Sequence, residues 1–144
     1  MISIPLDADH RELLEVWESS VRATHFFLTE EHLLFYKKMI EDGYLNSLDL
    51  YCIRDHDRIV GFMGIEGTFL QMLFIREQYM GRGVGGTLLN YAINVREVVN
   101  LEVNEQNDQA VGFYEHFGFR AISRSDLDGA GNPYPILSML LEVE

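Results

Sequence analysis

The most informative segment of the chain is residues 78–89, which read Gln78-Tyr79-Met80-Gly81-Arg82-Gly83-Val84-Gly85-Gly86-Thr87-Leu88-Leu89. Four glycines stand within six residues, between an apolar run typical of a buried strand and a run typical of a helix. Glycine lets the backbone approach a ligand closely, and the free N–H groups at a helix N-terminus attract phosphate. The stretch therefore predicts an anion-binding loop, with a tight turn needed only for packing as the plainer alternative.

Two well-known phosphate loops share part of this pattern. Gly81, Gly83 and Gly86 have the dinucleotide-binding spacing, and Glu102 follows downstream. However, five residues separate the apolar run from Gly81, where that motif turns at once, and too little chain follows for a dinucleotide fold. Gly81 and Gly86 also meet the P-loop spacing, but Thr87 stands where that loop needs its lysine. A nucleotide-binding enzyme is therefore the less favoured alternative.

A second pattern lies downstream and reads Asn107-x-x-Ala110-x-x-Phe113-Tyr114-x-x-x-Gly118-Phe119. Together, the loop and this pattern resemble the GNAT N-acetyltransferase superfamily over residues 59–119. In that family a strand leads into a loop of pattern Q/R-x-x-G-x-G/A, whose backbone amides hold the pyrophosphate of acetyl-CoA. Residues 80–85 match these positions here, with Gly83 and Gly85 at the two small-residue positions.

The resemblance implies the GNAT acyl-CoA N-acyltransferase fold, an α+β (α/β) domain with a mixed central sheet of six to seven strands and about four helices. One domain would span residues 1–144. Acetyl-CoA would be the cosubstrate, and the backbone of strand 73–75 would pair with its pantetheine arm and stabilise the oxyanion. The implied cofactor-binding residues are Leu73, Phe74, Ile75, Met80, Gly81, Arg82, Gly83, Val84, Gly85, Gly86, Asn107 and Tyr114.

The loop departs from the family pattern at its first position. Met80 stands where the family usually has Gln or Arg, and a thioether cannot donate a hydrogen bond to phosphate. The Met80 amide can still take part, and Arg82 or Arg76 could supply the charge instead. We therefore expect weaker cofactor binding, and a non-catalytic acyl-CoA-binding or sensor module with the same fold is an alternative function.

By the same resemblance, Tyr114 is the general acid that protonates the departing thiolate. A phenol with an ordinary pKa near 10 is protonated at neutral pH and can donate. The alternative is that Phe113 and Tyr114 are simply aromatic core on one helix. Asn107 matches a position that often hydrogen-bonds the cofactor, and as a helix-start residue it is equally suited to capping.

The sequence defines the catalytic base and the acceptor site less closely than it defines the cofactor site. An amine arrives as an ammonium ion, so a base must take a proton, and the candidates are Glu66, Glu102 and His25. Residues 23–28 and 133–135 are similar to features of a bacterial GNAT subgroup and fall where the family builds its acceptor site. The candidate acceptor-binding residues are His25, Phe26, Glu66 and Tyr134.

Apolar periodicity and capping signals predict the order of elements. Helices are expected from Asp7 or Asp9 to Ser20 and over residues 29–40, 86–98 and 108–117. Strands are expected over residues 2–4, 49–54, 59–65, 69–75, 101–103, 119–123 and 136–143. Strand 69–75 is almost wholly apolar, which predicts that it is buried on both faces.

The composition of the chain limits the classes of molecule that it is expected to bind. Eleven Lys and Arg against 23 Asp and Glu give a net charge of −12, which disfavours nucleic acid and suits a cationic amine. The single cysteine excludes an internal disulfide, and the five histidines show no metal-ligand spacing, so no metal is expected. The absence of a signal peptide or membrane span predicts a cytoplasmic protein, as a monomer or homodimer. The sequence thus predicts an N-acetyltransferase that moves the acetyl group of acetyl-CoA to an amine of a small molecule or peptide.

Overall fold

The computed structural model describes residues 1–142. Within them lie four α-helices: α1 (His10–Thr24), α2 (Glu30–Glu41), α3 (Val84–Asn94) and α4 (Asp108–His116). The same residues form seven strands: β1 (Ile2–Ser3), β2 (Asp49–Asp55), β3 (Arg58–Glu66), β4 (Phe69–Ile75), β5 (Asn100–Asn104), β6 (Phe119–Ser125) and β7 (Ile136–Leu141). The chain divides into two compact units, at residues 1–98 and from residue 99 onward.

In the first unit, β1, β2, β3 and β4 pair in this order, each antiparallel to the next, which confirms the predicted meander. Helices α1 and α2 supply Leu13, Val16 and Leu33 to a core that also contains Phe62 of β3 and Met72 of β4. Burial of these side chains is the main force that holds the helices to the sheet.

Strand β3 is buried over residues 59–65, whereas its end residues Arg58 and Glu66 are exposed. The prediction that strand 69–75 is buried on both faces is wrong, because only Leu70 and Met72 of β4 are buried. Its last three residues are half-buried. An apolar run alone does not tell which strand lies innermost.

Helix α3 begins two residues before its predicted start at Gly86 and ends at Asn94, before the predicted end at Val98. Gly83 takes a left-handed conformation, with φ +85° and ψ 2°, and therefore turns the chain directly into the helix. At the other end Glu97 has φ +58°, which stops the helix before Val98 packs into the core.

The capping signals of the first two helices have different outcomes. Asp9 precedes α1, but its side chain makes no capping hydrogen bond to that helix. Helix α1 continues past the predicted end at Ser20 to Thr24, because its buried face continues through Val21. The Thr29 side chain accepts a hydrogen bond from the amide of His32, which confirms it as the N-cap of α2.

The second unit contains β5, β7 and β6, with β7 antiparallel to each of the other two. Helix α4 begins after Asn107, whose side chain accepts a hydrogen bond from the amide of Ala110. Strand β6 runs two residues beyond its predicted end because Ser125 still pairs with Ile136. The predicted end of the last strand, Val143, lies outside the described residues. No helix within residues 1–142 is long and apolar enough to cross a membrane.

Candidate functional site

The glycine-rich loop leaves the amides of residues 81–86 unpaired. The Met80 amide, which the sequence offered for the phosphate, instead donates to the carbonyl of Glu77 at 3.2 Å. Among the described residues, no hydrogen bond of a turn or loop uses an amide of residues 81–86, and the first one into α3 comes from Thr87 to the carbonyl of Gly83. Residues 84–86 form the first turn of α3, whose amides have no partner within a helix. Unpaired amides and the positive end of the helix dipole at the start of α3 are features that favour an anion.

Glycine is required at two points of this loop. Gly81 and Gly83 have φ of +75° and +85°, and no other atom lies within 4 Å of where a Cβ would stand. Their surroundings are therefore open to a ligand. Beneath the loop, a Cβ on Gly61 of β3 would come within 2.8 Å of side-chain atoms of Ile75 and Val84. Gly61 thus lets the start of α3 pack closely on the sheet.

The base of the loop is fixed by Arg76, which is only 6% exposed. Its guanidinium donates from Nε and Nη2 to the Ile59 carbonyl, at 3.1 and 2.9 Å. Glu12 of α1 lies 3.5 Å from the same guanidinium and accepts a hydrogen bond from the Ile59 amide at 2.8 Å. The guanidinium is therefore held inside the fold, so the idea that Arg76 supplies charge to a phosphate is wrong.

We expect Arg76→Met to lower the free energy of unfolding by about 3 kcal/mol, because it removes a buried charge partner and leaves a carbonyl unpaired. Urea unfolding monitored by circular dichroism measures this change. Arg120→Met is the matched control: Arg120 pairs with Glu142 while 73% exposed, so a loss below about 0.5 kcal/mol is expected. Equal losses in the two variants would show that Arg76 is not an anchor.

Two further contacts hold the loop. The Glu77 amide donates to Oγ of Ser19 in α1 at 3.0 Å, and the Tyr79 hydroxyl donates to the Asp55 carboxylate at 2.5 Å. That hydrogen bond raises the pKa of Tyr79. The guanidinium of Arg82 lies 5.3 Å from the centre of the Tyr79 ring and is otherwise exposed, so it is the loop cation that can turn towards an anion.

The backbone of β4 leads into this loop. Leu73, Phe74 and Ile75 pair with Met63, Phe62 and Gly61 of β3. The register of this pair shifts between Gly64 and Ile65, since Met72 faces Gly64 and Leu70 faces Ile65. Gln71 is therefore the extra residue of a β-bulge, a feature often found next to active sites.

Tyr114 and Asn107 belong to the second unit. Tyr114 is 8% exposed and packs against the rings of Phe113 and Phe119. Burial raises the pKa of Tyr114 well above its usual value, so the phenol stays protonated. Its hydroxyl makes no hydrogen bond to any residue of the described part of the chain. Asn107 takes the capping role that the sequence left open.

The candidate acceptor residues of the first unit differ in exposure. His25 follows α1, its Nδ1 lies 2.8 Å from Oγ1 of Thr24, and its ring lies 5.2 Å from that of Phe27. Burial lowers the pKa of His25 to about 4, so the ring is neutral and weakly basic. Phe26 is 83% exposed. His25 is therefore poorly suited to be the base, whereas Phe26 is available for contact.

We expect the depressed pKa of His25 to make folding stability depend on pH. The unfolded chain binds the proton below pH 6.5 and the folded chain only near pH 4, so stability is lost as the pH falls through this window, by roughly 2 to 3 kcal/mol. Urea unfolding at pH 7 and pH 4.5 should therefore show a smaller loss in His25→Gln than in the wild type. An equal loss in both would contradict the assignment, since the carboxylates titrate in both chains.

The other candidate residues lie apart along the chain. Glu66 ends β3 and accepts a hydrogen bond from Nε2 of Gln71 at 3.3 Å. Glu102 is an exposed residue of β5 in the second unit. Tyr134 is 6% exposed, which leaves little of its surface for an acceptor. Of the contacts described above, sequence reasoning missed the anchoring role of Arg76, the contact of Ser19 and the bulge at Gln71, because each depends on how two segments pair and not on a local residue pattern.

Comparison with known proteins agrees with the loop geometry. Residues 19–134 match the family described as an acetyltransferase (GNAT) domain. The peptidyl-lysine N-acetyltransferase YjaB of Escherichia coli (strain K12) is 39% identical over 132 residues, covering 89% of this chain and 87% of that protein. The solution structure of apo-form YjaB from Escherichia coli has a TM-score of 0.89 at 35% identity, covering 97% of this chain and 95% of that one.

A more distant structure shares the fold. The PaiA N-acetyltransferase of Thermoplasma acidophilum, solved in complex with coenzyme A, has a TM-score of 0.73 at 21% identity and covers 96% of both chains. GNAT enzymes take the acetyl group from acetyl-CoA. The family match confirms the predicted fold class and favours the acetyltransferase over the nucleotide-binding alternative. This chain belongs to the GNAT acetyltransferase family and is an N-acetyltransferase that acts on an amine of a peptide or small molecule.

Proposed function

We propose that this protein acetylates lysine side chains of peptides, and that residues 80–86 hold the pyrophosphate of acetyl-CoA through the unpaired amides of residues 81–86. The observation that carries the cofactor part is the set of uncovered amides at the start of α3. The acceptor class is supported by the name of the Escherichia coli relative, a peptidyl-lysine N-acetyltransferase. A net charge of −12 also favours attraction of cationic peptides over polyanions.

The loop suits a pyrophosphate for three reasons. The amides of residues 81–86 are unpaired, Gly81 and Gly83 let phosphate oxygens approach the backbone, and α3 adds the positive end of its dipole. Arg82 is the nearby exposed cation and would pair with a phosphate oxygen by leaving the Tyr79 ring. The backbone of Leu73, Phe74 and Ile75 would bind the pantetheine arm. Asn107 would hydrogen-bond the cofactor in addition to capping α4.

Tyr114 would act on the leaving group. When the thioester C–S bond breaks, sulfur leaves as a thiolate, whose ordinary pKa is near 8.5. Because the pKa of Tyr114 is raised, the phenol is always available as a donor, but complete proton transfer to sulfur is uphill. Tyr114 would therefore first stabilise the thiolate through a hydrogen bond. It would give its proton to the sulfur only as a second proton reaches the phenol oxygen.

The segment after α1 would contact the acceptor. The exposed ring of Phe26 offers an apolar surface for the methylene stem of lysine, and neutral His25 beside it offers a hydrogen bond without repelling an ammonium ion. Tyr134 would support its own acceptor segment, residues 133–135, from its buried position.

Calorimetry and a transfer assay test this function. Acetyl-CoA should bind in the micromolar range at a fixed salt concentration, whereas NAD and ATP should not compete. Mass spectrometry should then show a gain of one acetyl group on a peptide with a single lysine, and none on the same peptide with arginine. Absence of binding at millimolar acetyl-CoA would overturn the loop assignment. Transfer only to a small-molecule amine would overturn the acceptor class.

Restoring a donor at position 80 should tighten cofactor binding. We expect Met80→Gln to lower the dissociation constant of acetyl-CoA about three- to tenfold, because an added hydrogen bond to a charged group contributes about 1 kcal/mol or more. Met80→Arg should act more strongly. Gln78→Arg adds the same charge two residues earlier and controls for general attraction. If Gln78→Arg has the same effect as Met80→Arg, the side chain at position 80 does not contact phosphate.

We further infer one GNAT domain over residues 1–144 that acts in the cytoplasm as a monomer or homodimer. The family match at residues 19–134 includes parts of both units, which supports one domain. Light scattering after size-exclusion chromatography measures the mass of the assembly, and cell fractionation tests the location.

A further inference from the structure

Three side chains of the first unit form a hydrogen-bonded chain at the β4 bulge. The Tyr44 hydroxyl donates to Oε1 of Gln71 at 3.3 Å, and Nε2 of Gln71 donates to Oε1 of Glu66 at 3.3 Å. Tyr44 belongs to the short 3₁₀ helix Tyr44–Ser47 after α2, Gln71 is the bulge residue, and Glu66 ends β3. The segment before β2 thus contacts the β3–β4 hairpin, although the two are at least 22 residues apart along the chain.

The direction of this chain is fixed by its chemistry. Burial, together with the negative charge of Glu66, raises the pKa of Tyr44, which therefore remains a protonated donor. A carboxylate accepts and does not donate, so the amide of Gln71 must turn its NH₂ group to Glu66 and its oxygen to Tyr44. The reversed amide would place two oxygens against each other, and this excludes it.

The bulge lies beside the proposed site of reaction. Leu73 is two residues beyond Gln71 along β4, a distance of about 7 Å at the usual rise of a strand. In the register of β3 with β4, Glu66 lies opposite Phe69. Its contact with Gln71, two residues further along β4, therefore runs diagonally across the strand pair. This diagonal leads along β4 towards residues 73–75, whose amides are proposed to stabilise the oxyanion. No cationic side chain within residues 1–142 forms an ion pair with Glu66.

We propose that Glu66 is the catalytic base, and that Gln71 and Tyr44 are positioning residues that hold its carboxylate for the acceptor ammonium. This assignment rests on the proposed transfer to lysine. It selects Glu66 over Glu102 and His25, because Glu102 forms no comparable contact among the described residues and His25 is weakly basic.

The proton balance is as follows. The lysine ammonium gives one proton to Glu66, and its nitrogen lone pair then attacks the thioester carbonyl carbon. The C–N bond forms, the C–S bond breaks, and CoA leaves as a thiolate that is protonated with the help of Tyr114. The nitrogen loses its second proton as the amide forms, and this proton replaces the one given to the thiolate. The proton on Glu66 passes to water, so one proton is released in each turnover.

Two acceptors separate a base from a structural role. One is a peptide with a single lysine, which is protonated at neutral pH because its pKa is near 10.4. The other is the same peptide with an acyl hydrazide in place of the amine, whose nitrogen is already unprotonated. Glu66→Gln should lower kcat/KM for the lysine peptide by about 100-fold, the range of general base catalysis, and by less than about threefold for the hydrazide.

The positioning residues should show the same selectivity with smaller effects. We expect losses for the lysine peptide of about tenfold in Gln71→Leu and about threefold in Tyr44→Phe, with acetyl-CoA affinity unchanged. Because Gln71 acts through Glu66, the double variant Glu66→Gln/Gln71→Leu should be no slower than Glu66→Gln alone. Glu102→Gln is the matched carboxylate variant and should leave the ratio of the two acceptors unchanged.

Each result decides between these assignments. Equal loss for both acceptors in Glu66→Gln, additive losses in the double variant, or a selective loss in Glu102→Gln would overturn the role of Glu66 while leaving lysine transfer intact. A wild-type protein that binds acetyl-CoA but transfers to neither peptide would overturn the proposed function and this inference with it.

Discussion

Gly83→Asp is expected to weaken acetyl-CoA binding by about 100-fold or more. The substitution places a carboxylate at the start of α3, where the loop amides would hold the pyrophosphate. Two unit charges about 5 Å apart repel by about 3 kcal/mol at an effective dielectric constant of 20, which corresponds to roughly 100-fold in affinity. The left-handed φ of +85° adds about 1 kcal/mol of strain for a side chain, and this acts mainly on stability.

The chain offers a matched control for this variant. Gly131 has φ +83° and, like Gly83, open space within 4 Å of where a Cβ would stand, but it lies in the loop between β6 and β7. Gly131→Asp therefore carries the same strain and charge outside the glycine-rich loop. Titration calorimetry of both variants with acetyl-CoA should show the loss in Gly83→Asp alone. Similar affinities in the two variants would mean that the pyrophosphate binds elsewhere.

Tyr114→Phe is expected to lower kcat by about 100-fold and to change acetyl-CoA affinity by less than about threefold. The general acid contributes 10²- to 10⁴-fold in typical enzymes, and the hydroxyl is the only group removed. Stability should not fall, because this hydroxyl has no hydrogen-bond partner among the described residues and the ring contacts with Phe113 and Phe119 are kept.

Steady-state kinetics with a lysine peptide measure this loss, and thermal unfolding verifies that the fold is intact. Tyr91→Phe is the control, because Tyr91 is a partly buried tyrosine of α3 whose ring packs on that of Tyr51. It should retain wild-type kcat. An unchanged kcat in Tyr114→Phe would show that another group, or water, protonates the leaving thiolate.

Local signals predicted the parts of the site that are made by neighbouring residues. The glycines of residues 81–86 marked a loop before a helix, and the left-handed φ at Gly83 is the conformation for which glycine is suited. Thr29 and Asn107 were recognised as helix-start residues, because a cap acts within one helical turn.

Where prediction failed, burial was decided by distant segments. The apolar run of β4 resembles that of a strand covered on both faces, but its last three residues are only half-buried. The sequence also offered Arg76 as a free cation, whereas the carbonyl of Ile59, 17 residues earlier, holds its guanidinium in the interior.

The family, the loop and the order of the elements could be predicted from the sequence, since they depend on residue types at short spacings. Which titratable groups are suited to chemistry depends instead on contacts made in the folded protein. Burial sets the pKa of His25, and the Tyr44–Gln71–Glu66 chain forms because the bulge and the segment after α2 meet. Desolvation and hydrogen bonding act through space, and residue types at short spacings do not specify which distant groups meet there.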